Sequence, residues 1–337
     1  MLPILLHRVS TVSRLFVLIL SLAFASAATA DVKVELLTSI KPLQLIAAAV
    51  QDGVGEPAVL LPPGASAHHY ALRPSDVRRL QAADLFYWIG PDMEVFLEPL
   101  AAGRKGPVQA VQRLPGLTLR HFGEGHSAHD HADHDHDHDH DHDHDHDHDH
   151  DDHDHGHVDH DHRPGSLDAH LWLLPANALV IAEKMTADLA ELDPQNAARY
   201  QANLAAFSQR LGELDARLKS RLGEVSEKPY FVFHEAYDYF EAAYGLRHAG
   251  VFSAGGEAQP GARHVAQMRQ RLQQAGPSCV FYEPPNRPRL AETLSRGLPV
   301  RLAELDALGS SITADAKGYE QLLERLGGTL AECLEGL

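Results

Sequence analysis

The sequence predicts an α/β fold of two lobes, each with a mostly parallel sheet flanked by helices, joined by one long spine helix. Three observations carry this. Short apolar runs alternate with amphipathic helical stretches along the chain, the pattern of parallel strands covered by helices. One helical stretch, Pro194 to Leu222, is far longer than the others, about 43 Å at 1.5 Å per residue, and so long enough to join two bodies. The roughly 300 residues beyond the leader suit two domains better than one.

The elements follow in order. Residues 1–30 read as a secretory signal, with Arg8 and Arg14 before an apolar run from Leu15 to Phe24 and a small-residue cleavage site at Ala28-Thr29-Ala30. That run is short for a membrane span, so an exported chain cleaved after about Ala30 is expected. Val32 to Thr38 reads as a strand, and Pro42 opens a helix through Val50. Ala58 to Leu61 is a strand closed by Pro62-Pro63-Gly64. Pro74 opens a helix to about Ala83, Leu85 to Ile89 is a buried strand, and Pro91 is expected to start a helix. Pro175 begins a helix to Leu192, and Asp193-Pro194 supplies an N-cap and N1 proline for the spine. Strands are then expected at Tyr230–Phe233, Ala249–Phe252, Cys279–Tyr282 and Val300–Leu305. Helices are expected near Tyr237–Tyr244, Ala262–Ala275, Pro288–Arg296 and Lys317–Leu334. The expected organisation is an N-terminal lobe over 31–174, a helical linker over 175–224 and a C-terminal lobe over 225–337.

Inside the first lobe lies a low-complexity insertion, residues 121–162, in which His and Asp alternate strictly from His134 to His150. It holds 18 of the chain's 25 histidines and no Lys or Arg. It cannot bury a core and is expected to lack structure without metal. The tract accounts for most of the formal charge of −18. The rest is nearly balanced and shows no basic patch, which sets nucleic acid aside. His-rich composition reads as metal binding, with His134, His136, His138, His140, His142, His144, His146, His148 and His150 as accessory donors that capture zinc or sense its abundance; a tolerated expansion with little effect is the other reading. The two cysteines, Cys279 and Cys333, are a candidate disulfide in an oxidising compartment, contributing roughly 4 kcal/mol. Two buried thiols are the other reading.

Three histidines outside the tract sit where ligand sites form. His234 ends an apolar strand, and ligands of parallel sheets collect at strand carboxyl ends. His68 follows a Pro-Pro-Gly turn, and His170 precedes the helix at Pro175. A cleft between lobes is where such loops meet, and three imidazoles make a strong zinc donor set with one position left over. His69 is read as solvated, His248 and His264 as ordinary surface or helix residues, and Trp172 and Tyr70 as packing. Glu235 is read as either an outer-shell acceptor or a plain surface carboxylate.

The stretches Pro62-Pro63-Gly64-Ala65-Ser66-Ala67-His68-His69-Tyr70-Ala71-Leu72-Arg73-Pro74-Ser75-Asp76, Asp168-Ala169-His170-Leu171-Trp172-Leu173 and Tyr230-Phe231-Val232-Phe233-His234-Glu235-Ala236-Tyr237 closely resemble the periplasmic zinc-binding protein of bacterial high-affinity zinc ABC importers. The resemblance spans the mature chain, including a His-rich insertion before the second stretch and the two cysteines, which match a disulfide of some Gram-negative members. It implies a zinc site in the inter-lobe cleft, with His68 and His170 from the first lobe and His234 from the second. It also implies a periplasmic location, Zn(II) as cargo, a membrane permease as partner and a monomer. Some members place a glutamate where this chain has Ala67. The fourth position is then expected to fall to water or another carboxylate, and Asp306 matches the region where manganese-binding relatives place an aspartate. Competing readings are a secreted zinc hydrolase, which lacks His-Glu-x-x-His here, a zinc buffer working only through the tract, and a manganese importer component.

Overall fold

The structure, a computed structural model, describes residues 33–123, 165–253, 262–284 and 289–337. The leader and the tract histidines His134 to His150 lie outside the described residues.

The first sheet comprises β1 (Leu36–Thr38), β2 (Ala58–Val59), β3 (Leu85–Trp88) and β4 (Val108–Ala110), in the order β2-β1-β3-β4 and parallel throughout. Leu37 pairs with Ala58 on one side and Phe86 on the other. The second sheet repeats the arrangement with β5 (Tyr230–His234), β6 (Gly250–Ser253), β7 (Ser278–Tyr282) and β8 (Val300–Glu304), ordered β6-β5-β7-β8. In each sheet the chain leaves the central strand in both directions, so the carboxyl ends of β1/β3 and β5/β7 are topological switch points, where such folds bind ligands.

Both faces of the second sheet are covered. Tyr230 and Val232 of β5, with Cys279 and Phe281 of β7, join the main core. The alternate residues Phe231 and Val280 enter a smaller cluster with Phe252, Met268 and Leu272. Burial on both faces is why these strands read as continuous apolar runs. A disulfide joins Cys279 to Cys333, fastening β7 to the C-terminal helix.

The covering helices include α1 (Lys41–Val50), α2 (Pro74–Ala82), α3 (Glu98–Ala102) and α4 (Pro175–Leu192), then the spine α5 (Ala197–Gly223). They continue with α6 (Asp238–Tyr244), α7 (Ala262–Ala275), α8 (Arg289–Ser295) and α9 (Gly318–Glu335). The spine buries Tyr200, Asn203, Phe207, Leu211, Leu214, Leu218 and Leu222, a three-and-four spacing that makes one apolar stripe. That stripe packs on α1 from the first half of the chain and on α9 from the second. Gly327 permits the α9 approach, since a Cβ there would lie 2.5 Å from Leu218 Cδ2. The described residues from Val34 onward form one compact unit.

Two local expectations change. Pro91 opens no helix: the buried Glu94 folds back so that its carboxylate accepts from the amides of Ile89 (2.8 Å) and Gly90 (3.4 Å). The helical turns start later, at Val95 and Glu98. The edge strand β4 is an addition, because its half-buried Val-Gln-Ala carries little apolar signal.

Candidate metal centre

His68 sits in the loop after β2. Ser66 Oγ accepts from the amides of His68 (3.2 Å) and His69 (3.1 Å), which sets the local turn. Six residues beyond Tyr70, Asp76 accepts from the Tyr70 hydroxyl (3.1 Å) and the Arg73 amide (2.9 Å), capping α2 and closing the loop. His68 is buried and His69 is exposed.

His170 is held more firmly. Asp168 Oδ1 accepts from both the His170 amide (3.0 Å) and ring Nδ1 (2.7 Å), so Nε2 is the lone-pair nitrogen of that tautomer. Burial pushes the Asp168 carboxyl well above the usual range. The segment around His170 is also tied to the second half of the chain. Trp172 Nε1 donates to Ala307 O (3.0 Å), and the Tyr319 and Tyr239 hydroxyls donate to Trp172 O (2.6 Å) and Asp168 O (2.9 Å).

His234 is the last residue of β5, beside the second switch point. Its Nδ1 lies 3.2 and 3.3 Å from the Glu283 carboxylate, which follows β7 and also accepts from Tyr237 Oη at 3.1 Å. Burial opposes ionisation of Glu283, but the His234 charge and these hydrogen bonds outweigh it and hold the carboxyl below its ordinary value.

The three imidazoles converge. Ring centroids are separated by 5.4 Å (His68–His170), 5.6 Å (His68–His234) and 5.1 Å (His170–His234). One donor atom from each lies within 4.8 Å of the others, so small ring movements would bring all three to the about 2.0–2.1 Å that a single zinc ion requires. Nearly perpendicular ring planes, 76° and 81° for the two pairs with His234, suit non-planar coordination better than stacking.

Asp306 is placed differently. Its carboxylate accepts from the amides of Leu308 (3.0 Å), Gly309 (2.8 Å) and Ser310 (2.7 Å), which organises the turn after β8. It does not belong to the three-donor group. Residue 67 is a buried alanine and offers no donor. Glu283 and Asp168 are the carboxylates on two of the three imidazoles that motif spacing did not assign, although Asp-x-His at 168–170 and a Glu at a strand end are visible signals. His248 is a correction: it is buried, not a surface residue, and its Nδ1 lies 2.9 Å from Glu241. His264 is half-buried on Val251 O (3.1 Å).

Replacing Asp168 with Asn removes the carboxylate that orients His170. Loss of such an outer partner costs roughly 10–100-fold in metal affinity, so chelator competition on the Asp168→Asn variant is expected to show a drop in that range. Unchanged affinity would show that His170 needs no such support.

Two α/β halves with donors gathered from two loops and the end of β5 define the class of solute-binding proteins with a metal-type site. The description "zinc-uptake complex component A periplasmic" matches residues 36–333. The high-affinity zinc uptake system protein ZnuA of Yersinia pestis is 40% identical over 307 residues, covering 88% of this chain and 90% of the relative. That of Brucella abortus is 39% identical over 316 residues, covering 92% and 95%. The chain belongs to the ZnuA family. In fold it is similar to a zinc-bound ZnuA deletion mutant lacking residues 138–173 of its own chain (TM-score 0.65, 22% identity, covering 88% of this chain and 97% of that one). It is similar also to the Zn(II)-bound AdcAII variant of Streptococcus pneumoniae (TM-score 0.68, 21% identity, 89% and 98%).

Proposed function

We propose that this chain captures Zn(II) in the periplasm and delivers it to the membrane permease of a zinc ABC importer. The observation that carries the proposal is the convergence of His68, His170 and His234, with donor atoms within 4.8 Å of one another. Three neutral imidazoles bind borderline ions such as zinc strongly, and the relatives named above are zinc uptake proteins. In this reading 31–174 and 225–337 act as the lobes, with 175–224 as the linker. One chain supplies all three imidazoles, so the site is complete in a monomer.

Each residue has a part in capture. Asp168 and Glu283 fix the rings so that zinc meets pre-oriented lone pairs, which lowers the entropy lost on binding. Binding requires neutral imidazoles and therefore competes with protons. The His170 segment is hydrogen-bonded to both halves of the chain, whereas the His68 loop depends on Ser66 and Asp76. Entry and release then proceed by movement of the His68 loop and of His234, biased by the docked permease. Water completes the coordination, because Asp306 is committed to backbone amides. The family is a transport component, and no bond-making step is assigned. The histidines at 134–150 act as accessory capture sites, each weaker than a preorganised site but tethered close to it.

Titrating Zn(II) against a calibrated chelator into mature chain lacking residues 121–162 tests this. One tight site per chain is the expected result. Weak binding only, restored with the tract, would replace this reading with a buffer.

A further inference from the structure

Outside the triad, a second set of side chains has the spacing of metal ligands. One donor atom each from Glu235, Asp238 and His248 lies within 4.8 Å of the other two. Asp238 and His248 are each only 6% exposed. The residues come from three short segments. Glu235 follows β5, Asp238 opens α6, and His248 lies between α6 and β6, where Gly245 turns the chain through a left-handed conformation (φ 68°). His248 Nδ1 is directed at carboxylates: 2.9 and 3.0 Å from the two Glu241 oxygens and 4.0 Å from Asp238 Oδ1. Glu241 is itself fixed by the Tyr230 hydroxyl at 2.6 Å.

A second observation points to a cation. The Asp168 side chain has no exposed surface, its Oδ1 is taken by His170, and its Oδ2 accepts no hydrogen bond among the described residues. The hydroxyl of Tyr239, the residue after Asp238, donates to the Asp168 carbonyl (2.9 Å), so this carboxylate lies beside the segment that carries the cluster. Buried carboxylate oxygens are normally hydrogen-bonded, paired or bound to metal. Glu235, Asp238 and Glu241 thus gather around the His248 imidazole, and an ion would take the place of its N–H proton. One nitrogen with several carboxylate oxygens is a harder donor set than three imidazoles and suits zinc or manganese at lower affinity.

We propose that Glu235, Asp238 and His248 form a second divalent-cation site, separate in residues from the His68–His170–His234 triad. Its occupancy is read from zinc-edge anomalous diffraction of the full mature chain crystallised with excess zinc. Two peaks are expected, one within each set. In Asp238→Asn and in His248→Gln the second peak is lost while the triad peak remains, which also shows that each variant folds. A triad peak alone at saturating zinc would overturn the proposal and leave His248–Glu241 as a buried ion pair. So would a second peak that keeps its height in both variants. A second peak without a triad peak would instead overturn the reading of the triad and leave this site standing.

Discussion

Replacing His170 with alanine is expected to abolish tight zinc binding in chain lacking residues 121–162. The loss should exceed the roughly 100-fold upper end seen when only an outer partner of a ligand is removed, because here a donor itself disappears. His170 is the most firmly placed imidazole of the three: buried, held by Asp168 through two hydrogen bonds, and 5.1 and 5.4 Å from the other two rings. Two imidazoles and solvent would then hold the ion. The variant leaves Asp168 without its ring partner, so thermal unfolding of the metal-free protein should accompany the titration. His234→Ala is a useful companion, since His234 is only half-buried and its truncation disturbs packing less. An affinity within a few-fold of the parent in both variants would sink the triad as the zinc site.

The pH dependence of folding should change most on replacing Glu94 with glutamine. Glu94 is fully enclosed beside the end of β3, and burial pushes its carboxyl from 4.5 up to about 7 against the two backbone amides that favour the charged form. The native state therefore holds a proton that the unfolded chain has released between those values. Stability from this group is fully present below pH 4.5 and is lost as pH rises through about 7. At 1.36 kcal/mol per pH unit the swing is about 3 kcal/mol. Glutamine keeps an acceptor for the amides and carries no titrating proton. Urea unfolding of metal-free protein at pH 5 and pH 8 should show Glu94→Gln more stable than the parent at pH 8, with the gap closing at pH 5. Parallel pH profiles would rule Glu94 out as the source.

Much of this fold was legible because its strands are buried on both faces and its helices open with proline. The runs at Leu85, Tyr230 and Cys279 are apolar without interruption, and Pro74 and Pro175 mark helix starts that the structure reproduces. Legibility failed where a side chain competes with the backbone pattern. Pro91 has the local chemistry of a helix start, but Glu94 satisfies the strand-end amides instead. The three histidines were readable from their motifs; Glu283 was not, because its relation to His234 spans 49 residues and exists only through the β5–β7 pairing. His248 was misread for a related reason. Nothing beside it in sequence declares burial, and its partner Glu241 is brought to it by the turn at Gly245.

The backbone on either side of the His/Asp tract is stitched together. His121 and Leu167 form an antiparallel bridge, Phe122 N donates to Ser166 O (3.0 Å), and Gly165 N donates to Phe122 O (2.8 Å). Asp168 N then bonds Arg120 O (2.9 Å), two residues before His170. With both ends pinned, the length between them is nearly decoupled from the fold: each doubling of a closed segment adds only about 0.6 kcal/mol of closure entropy. On this count, His-Asp repeats could be added or removed without disturbing the place where the three imidazoles meet. The number of histidines in the tract can therefore change independently of the triad.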